Sequence, residues 1–322
     1  MFLTSLGKNY FFNNLLEAVS CQPFGPELTV EGLSAVSLKN RPLTEGFRRD
    51  VLQDRIMPDI TIGAAHYFYL TNKDQTAADR HIVILLHGSG GDSSVWEKQL
   101  SENIPVIAPD LPGHGRSDGP LRSSAKDNAL WLDAFTRGLE LGIFFLAGHS
   151  LGGAVAQEFS RAFPHRVAGL ILAGTGTHAT IASEYLKTLR HNFSAAVKAS
   201  CLAAYAPGAA DAVSAQGGKM LTRNGPEALY SDLCAYKAFD SRPWAATLSV
   251  PALILCGSDD LITPAADAEE LSGLMPQALL KIIPGAGHMA MLEAPGEFNE
   301  AVKAFIRKTT ESTEKNSVFS KK

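Results

Sequence analysis

Four cysteines in 322 residues, Cys21, Cys201, Cys234 and Cys256, are too few and too scattered for a disulfide scaffold. They form no C-x-x-C pair, which argues against a zinc ribbon and a thioredoxin-type site. No H-E-x-x-H or similar cluster occurs, so no metal site is expected. No run reaches about 18 uninterrupted apolar residues, so no membrane-spanning helix is expected. No stretch is dense in Lys and Arg, and 29 basic against 33 acidic residues leave a net charge of −4. Nucleic acid is therefore not expected as a partner. The chain begins Met1-Phe2-Leu3, but Asn13, Asn14 and Glu17 interrupt the apolar stretch before Cys21. A secretion signal needs an unbroken apolar core of about 7–15 residues. Ala18-Val19-Ser20-Cys21 mimics a lipoprotein cleavage site only loosely, and the expectation is a cytoplasmic protein.

What is present is core-forming material: 45% hydrophobic and 19% charged residues exclude wholesale disorder. At about 150 residues per domain the length suits two domains, or one large α/β domain with an insertion. Residues 1–56 show no sustained period of 2 or 3.6. They read as an appendage, as a short helical arm on the main domain, or as the product of a start codon upstream of Met57. From residue 66 onward strand and helix signals alternate. Tyr67–Leu70, Ile82–Leu86, Val106–Ala108, Ile143–Ala147, Leu170–Leu172, Ala252–Cys256 and Leu279–Ile283 read as strands. Several are near-continuous apolar runs, as expected of strands buried on both faces. Helical spacing falls at 126–141, 152–163, 265–275 and 295–308, the last opened by Pro295. Such alternation predicts a mostly parallel sheet with helices on both faces.

Residues 176–245 break the rhythm. They are Ala-rich and helical in texture, with breaks expected at Pro207-Gly208, Gly217-Gly218 and Gly225-Pro226. The expected organisation is a core of 57–175 and 246–308, a helical cap at 176–245, and a polar, frayed tail at 309–322.

Gly148-His149-Ser150-Leu151-Gly152-Gly153 fits G-x-S-x-G, preceded by an apolar strand and followed by a helix. Glycines suit a strand-to-helix turn too tight for a Cβ, and such a turn lifts a serine hydroxyl above the sheet edge. Ser150 is the candidate nucleophile, and His149 reads as a supporting residue, because consecutive side chains diverge at such a turn. His87-Gly88-Ser89-Gly90-Gly91 follows the first fully apolar strand. Attack on an acyl carbonyl places negative charge on oxygen, and the Ser89 and Leu151 backbone N–H groups are the candidate donors to it. His87 reads as a loop anchor.

A serine needs a histidine base held by a carboxylate. His288 is selected because it lies in Gly285-Ala286-Gly287-His288, after a strand and near the C-terminus, and because the order Ser, Asp, His accompanies this kind of serine turn. For the acid, both Asp259 and Asp260 follow the strand ending at Cys256. The spacing G-x-x-D-x-x-x-P through Pro264 favours Asp260 and leaves Asp259 to cap the loop.

Together these segments resemble the α/β-hydrolase superfamily, in its lidded serine-esterase-like branch. The resemblance covers about 60–308 and rests on HGSGG at 87–91, DLPGHGRSD at 110–118, GHSLGG at 148–153, GSDDLITP at 257–264 and PGAGHMAMLEAP at 284–295. It implies an eight-stranded sheet with an inserted helical cap, no cofactor, and a triad of Ser150, Asp260 and His288. His114 and Arg116 then belong to a structural network, and Trp96 to the aromatic packing behind the oxyanion loop. A serine at the turn disfavours the relatives in which an Asp attacks.

The expected activity is hydrolysis of a small-molecule carboxylic ester or related acyl bond through an acyl-enzyme. Carbon–carbon bond hydrolases, lactonases, perhydrolases and slow ligand receptors use the same fold. Leu202, Tyr205, Tyr230, Tyr236 and Phe239 line a pocket or pack the lid. Acyl length and oligomeric state are not legible.

Overall fold

The computed structural model describes residues 58–72 and 82–319, with side chains to residue 312. The extension at 1–56, Cys21 included, lies outside the described residues.

Eight strands form one sheet. They are β1 (Asp59–Ile62), β2 (Ala65–Thr71), β3 (Val83–Leu86), β4 (Val106–Pro109), β5 (Phe144–His149), β6 (Val167–Ala173), β7 (Ala252–Gly257) and β8 (Ala278–Ile283). Their order is β1-β2-β4-β3-β5-β6-β7-β8. β2 runs antiparallel to β1 and β4, and the remaining pairs are parallel. Each run expected as a strand is a strand, and with β1 they make up the eight strands that the resemblance implies.

The apolar runs are continuous because both faces of the sheet are covered. Along β3, Ile84 and Leu86 face one core while Val83 and Leu85 face the other, as a two-residue period requires. The first core is filled from α2 (Ala125–Gly138), α3 (Leu151–Ala162) and α7 (Ala265–Leu274), through Leu132, Phe135, Val155, Phe159 and Leu271. The second is filled from α1 (Glu97–Leu100), α8 (Ala290–Glu293) and α9 (Pro295–Phe319), through Leu100, Met291, Phe298 and Phe305. Each such side chain contributes about 1.5–3 kcal/mol by leaving water. Ser124 caps α2 by accepting the Asp127 N–H at 3.0 Å.

Between β6 and β7 the chain leaves the sheet and forms α4 (Ser183–His191), α5 (Phe193–Ala204) and α6 (Asp211–Lys237). These helices share a small core of Leu186, Leu189, Ala196, Leu229 and Tyr230. Two expected breaks occur. Pro207-Gly208 lies between α5 and α6, and Gly225, at φ 88°, kinks α6 ahead of Pro226. Gly217-Gly218 does not break the helix. Gly217 is there to be small: a Cβ would stand 2.2 Å from the Tyr205 hydroxyl oxygen. At the other end α9 continues past residue 308 to Phe319. Residues 309–319 hold no Gly or Pro to stop it, and the Thr310 hydroxyl donates back to the Ile306 carbonyl at 2.9 Å.

Because β3, β5, β6 and β7 are parallel, the loops leaving their C-terminal ends share one edge of the sheet. Among the described residues no helix is long and apolar enough to cross a membrane.

Candidate active site

Ser150 stands between β5 and α3 with φ 53° and ψ −119°, a conformation costly for a residue with a side chain. Such strain costs about 1–3 kcal/mol and persists only where the surroundings enforce it. Here they do. The Ser150 N–H donates to the Ala173 carbonyl at 2.9 Å, and the Ser150 carbonyl accepts the Gly153 N–H at 2.9 Å. The flanking glycines are steric necessities: a Cβ on Gly148 would lie 2.1 Å from the Gly152 carbonyl oxygen, and one on Gly152 would lie 2.5 Å from that of Leu86.

His288 arrives from the loop between β8 and α8. Its Nδ1 lies 2.9 Å from Oδ2 of Asp260, which follows β7, and both side chains are buried. A carboxylate oxygen only accepts, so Nδ1 carries the hydrogen of this contact. Asp260 is fully engaged. Oδ1 takes the Ile262 and Thr263 N–H groups at 2.9 and 2.8 Å, and Oδ2 takes the Thr263 hydroxyl at 2.9 Å. Burial works against its charge, but the adjacent His288 and these donors hold it below the ordinary carboxylate range. Asp259 does something else: its N–H donates to the Ala286 carbonyl and its carboxylate accepts from the Ser258 hydroxyl.

The Gly88–Gly91 turn lies directly on the serine, since a Cβ on Gly88 would come within 3.0 Å of Ser150 Cβ. It is closed by the Gly91 N–H to the Gly88 carbonyl at 3.0 Å, and the Gly90 N–H goes to Asp232 at 2.8 Å. The Ser89 N–H is outside both bonds. Leu151 is the first residue of α3, where a helix leaves amide donors unspent. The Ser89 hydroxyl is buried with no partner among the described residues.

Ser150, His288, Gly88 and Ser89 all open on one cavity of about 360 Å³. Its remaining wall is mainly apolar, with Ile181, Met220, Leu221, Leu229, Leu233 and Met289. Among the described residues no Lys or Arg lines it, and Asp267 is the one carboxylate on the wall, its pKa raised by burial. Of the aromatic and apolar cap residues considered in the sequence, Tyr205 and Tyr236 line this cavity. Tyr230 and Phe239 pack inside, and Leu202 faces solvent at 71% exposure.

His87 and His114 make structural contacts. His87 Nδ1 donates to the Gly88 carbonyl at 2.9 Å while Nε2 accepts the Leu111 N–H at 3.0 Å. Burial, with His114 nearby, lowers its pKa to about 4. His114 pairs with Asp232, and Arg116 lies over the Phe68 ring. Trp96 is fully buried beside Phe298. Among the described residues no group of three or more His, Cys, Asp or Glu is placed to hold a metal ion.

Three contacts were not read from the sequence. Thr263 touches both Asp260 Oδ2 and His288 Nδ1, at 2.9 and 3.2 Å. Glu293 accepts the N–H groups of Gly287, Met289 and, from the cap, Ala206, at 3.1, 3.2 and 2.8 Å. Asp232 reaches Gly90. The first two sit inside the quoted segments GSDDLITP and PGAGHMAMLEAP, so attention to the polar residues of those segments would have found them. Nothing local marks Asp232.

Comparison with known proteins places this arrangement. The chain is 31% identical over 255 residues to the dihydrolipoyllysine-residue acetyltransferase component of an acetoin cleaving system from Pseudomonas putida, covering 70% of this chain and 63% of that protein. Over 258 residues it is 30% identical to a pimeloyl-(acyl-carrier protein) methyl ester esterase from Edwardsiella ictaluri, covering 71% of this chain and 94% of that one. A solved thermophilic esterase superposes with a TM-score of 0.71 at 29% identity, over 79% of this chain and 98% of the other. The model of the alpha/beta hydrolase family matches residues 83–301, from the strand before the Gly88–Gly91 turn into the helix after His288. With the eight-stranded sheet and the strained serine at the end of β5, that match makes the chain a member of the alpha/beta hydrolase family.

Proposed function

We propose that this protein is a serine hydrolase that cleaves a carboxylic ester, or a related acyl bond, of a small and largely apolar substrate. The observation that carries the reading is the 2.9 Å contact between Asp260 Oδ2 and His288 Nδ1, set on the same cavity as the strained Ser150. That contact leaves Nε2 of His288 able to accept a proton.

In this reading His288 takes the proton of the Ser150 hydroxyl as Oγ bonds to the acyl carbonyl carbon. The carbonyl electron pair moves to oxygen, where the Ser89 and Leu151 N–H groups receive it. His288 then gives the proton to the departing alkoxide, and the acyl group stays on Ser150. Water repeats the sequence: His288 takes its proton, hydroxide adds, the Ser150–acyl bond breaks, and the proton returns to Ser150. Asp260 keeps the imidazolium oriented and charge-balanced throughout. Residues 176–245 serve as the cap that encloses the acyl group, with the core at 57–175 and 246–308. The methyl ester esterase and the thermophilic esterase among the relatives support ester chemistry over the other reactions of the fold.

The test is a p-nitrophenyl ester panel of increasing acyl length, run beside Ser150→Ala and a fluorophosphonate probe. Turnover, lost in Ser150→Ala, with stoichiometric labelling of Ser150, is the expected result. Full activity in Ser150→Ala, or an inert serine in the wild type, overturns the reading, and the second outcome points to a ligand receptor.

A further inference from the structure

Asp232 belongs to α6, in the cap, yet its side chain is only 2% exposed. A buried carboxylate needs partners, and this one has two. Oδ2 accepts the Gly90 N–H at 2.8 Å and lies 2.9 Å from Nε2 of His114. The other ring nitrogen of His114 faces the Pro112 carbonyl at 3.1 Å. A carbonyl and a carboxylate both accept, so the ring donates at both ends and is an imidazolium. Just before the Gly225 kink of α6, Asn224 Nδ2 donates to the Gly90 and Gly91 carbonyls at 2.9 and 2.8 Å. The cap therefore grips Gly90 by both its N–H and its C=O.

That grip falls on the peptide that matters. In the Gly88–Gly91 turn the Ser89–Gly90 peptide is the central one, and central peptides of such turns have two orientations, distinguished by the sign of φ at the third residue. Gly90 has φ 65°, and in that orientation its N–H meets Asp232. Rotating this peptide changes ψ of Ser89 and φ of Gly90, while the hold on both the N–H and the C=O of Gly90 fixes the place of the turn that carries the Ser89 N–H.

We propose that Asp232 is a positioning residue for catalysis: from the cap, it pins the Ser89–Gly90 peptide so that the Ser89 N–H faces the carbonyl oxygen of the substrate. This rests on the acyl-transfer reading above. It makes the cap a contributor to the chemical step, in addition to its place around the acyl group. Asp232 touches no substrate in this scheme. It acts through Gly90, with His114 as its other partner in a buried place.

The experiment compares wild type, Asp232→Asn and Asn224→Ala on p-nitrophenyl butyrate, with inhibition by an alkyl trifluoromethyl ketone, whose adduct with serine carries an oxyanion. A misplaced donor lowers kcat and leaves KM nearly untouched. Loosening of the cap without effect on the donor raises KM and spares kcat. For Asp232→Asn, kcat is expected to fall by about 10- to 100-fold with KM within about threefold. The inhibition constant of the ketone should rise by the factor lost from kcat/KM. Asn224→Ala, which leaves the Asp232–His114 pair intact, should show the same signature more weakly and decides the matter if Asp232→Asn fails to fold. Wild-type kcat in a folded Asp232→Asn, or a loss carried wholly by KM, overturns the proposal. Fluorophosphonate labelling separates the two readings. If wild-type Ser150 labels and turns over while both variants match it, only the positioning role falls. If wild type neither labels nor turns over, the acyl-transfer reading falls and takes this one with it.

Discussion

His149 Nε2 lies 3.0 Å from the main-chain carbonyl oxygen of His288, with the two rings 4.5 Å apart. The neighbour of the candidate nucleophile thus holds the backbone of the candidate base. A carbonyl only accepts, so His149 donates from Nε2. Replacing it with Ala strands that carbonyl and opens a hole beneath His288. His149→Ala should lose about 2–4 kcal/mol of stability by urea denaturation and lower kcat more than it raises KM. Wild-type stability in that variant would mean that the contact does not matter.

His149 also predicts acid sensitivity. Burial, then the proximity of His288, lowers its pKa to about 3, and burial lowers that of His87 to about 4. Both bind a proton more readily when unfolded, where the ordinary value is 6.5. Their folded pKa values are depressed, so the stability they contribute is complete above pH 6.5. It is lost as the pH falls toward about 4 for His87 and about 3 for His149. Near pH 5 unfolding takes up one proton at each, and stability should fall by about 1.4 kcal/mol per pH unit per histidine. Denaturant titrations at pH 7, 6 and 5 check this, and a flat profile would contradict it.

His114 carries the opposite sign. Burial lowers its pKa, but Asp232 more than compensates, with Asp110 adding in the same sense, and the net shift is upward. His87, whose ring lies 5.1 Å away, is the other histidine facing it. The stability from the His114–Asp232 pair is therefore complete below pH 6.5 and lost as the pH rises through the raised value. The stability gap between wild type and His114→Gln should narrow with alkaline pH; a constant gap would show that the pair is not titrating there.

The two adjacent aspartates offer a matched test. Asp260→Asn should lower kcat by about 10⁴-fold with little change in KM, because an amide favours the wrong tautomer of the base. Asp259→Asn should stay within about twofold of wild type. Thr263→Val removes the hydroxyl shared by Asp260 and His288 and should fall between them. Equal losses in the two Asn variants would undo the assignment of roles.

The cavity wall predicts selectivity. With no Lys or Arg on it among the described residues, a carboxylate at the far end of the acyl chain meets no Lys or Arg cation there, so neutral chains should be preferred to those ending in an acid. Leu233→Trp narrows the apolar wall and should shift the ester panel toward shorter chains, read as the ratio of kcat/KM for acetate to octanoate. An unchanged ratio would place the acyl group elsewhere.

Several features were legible in the one-dimensional chain because their cause is local. The β3, β5 and β7 runs read as strands since burial on both faces leaves no polar position. The turn at Ser150 shows itself because Gly148 and Gly152, two residues to either side, must lack side chains. The end of α9 misled because a polar composition does not itself stop a helix; only Gly, Pro or a cap does, and 309–319 has neither Gly nor Pro. Gly217-Gly218 misled for the converse reason, as its smallness answers to Tyr205 and not to the helix.

Residue types and short spacings therefore sufficed for the sheet, the turn and the candidates Ser150, Asp260 and His288. Which cap aromatics face the cavity, and that Asp232 grips Gly90 from 142 positions away, were decided by tertiary packing. Contacts between distant segments depend on where whole elements come to rest, and a buried charge is satisfied by whatever donor that packing brings within about 3 Å.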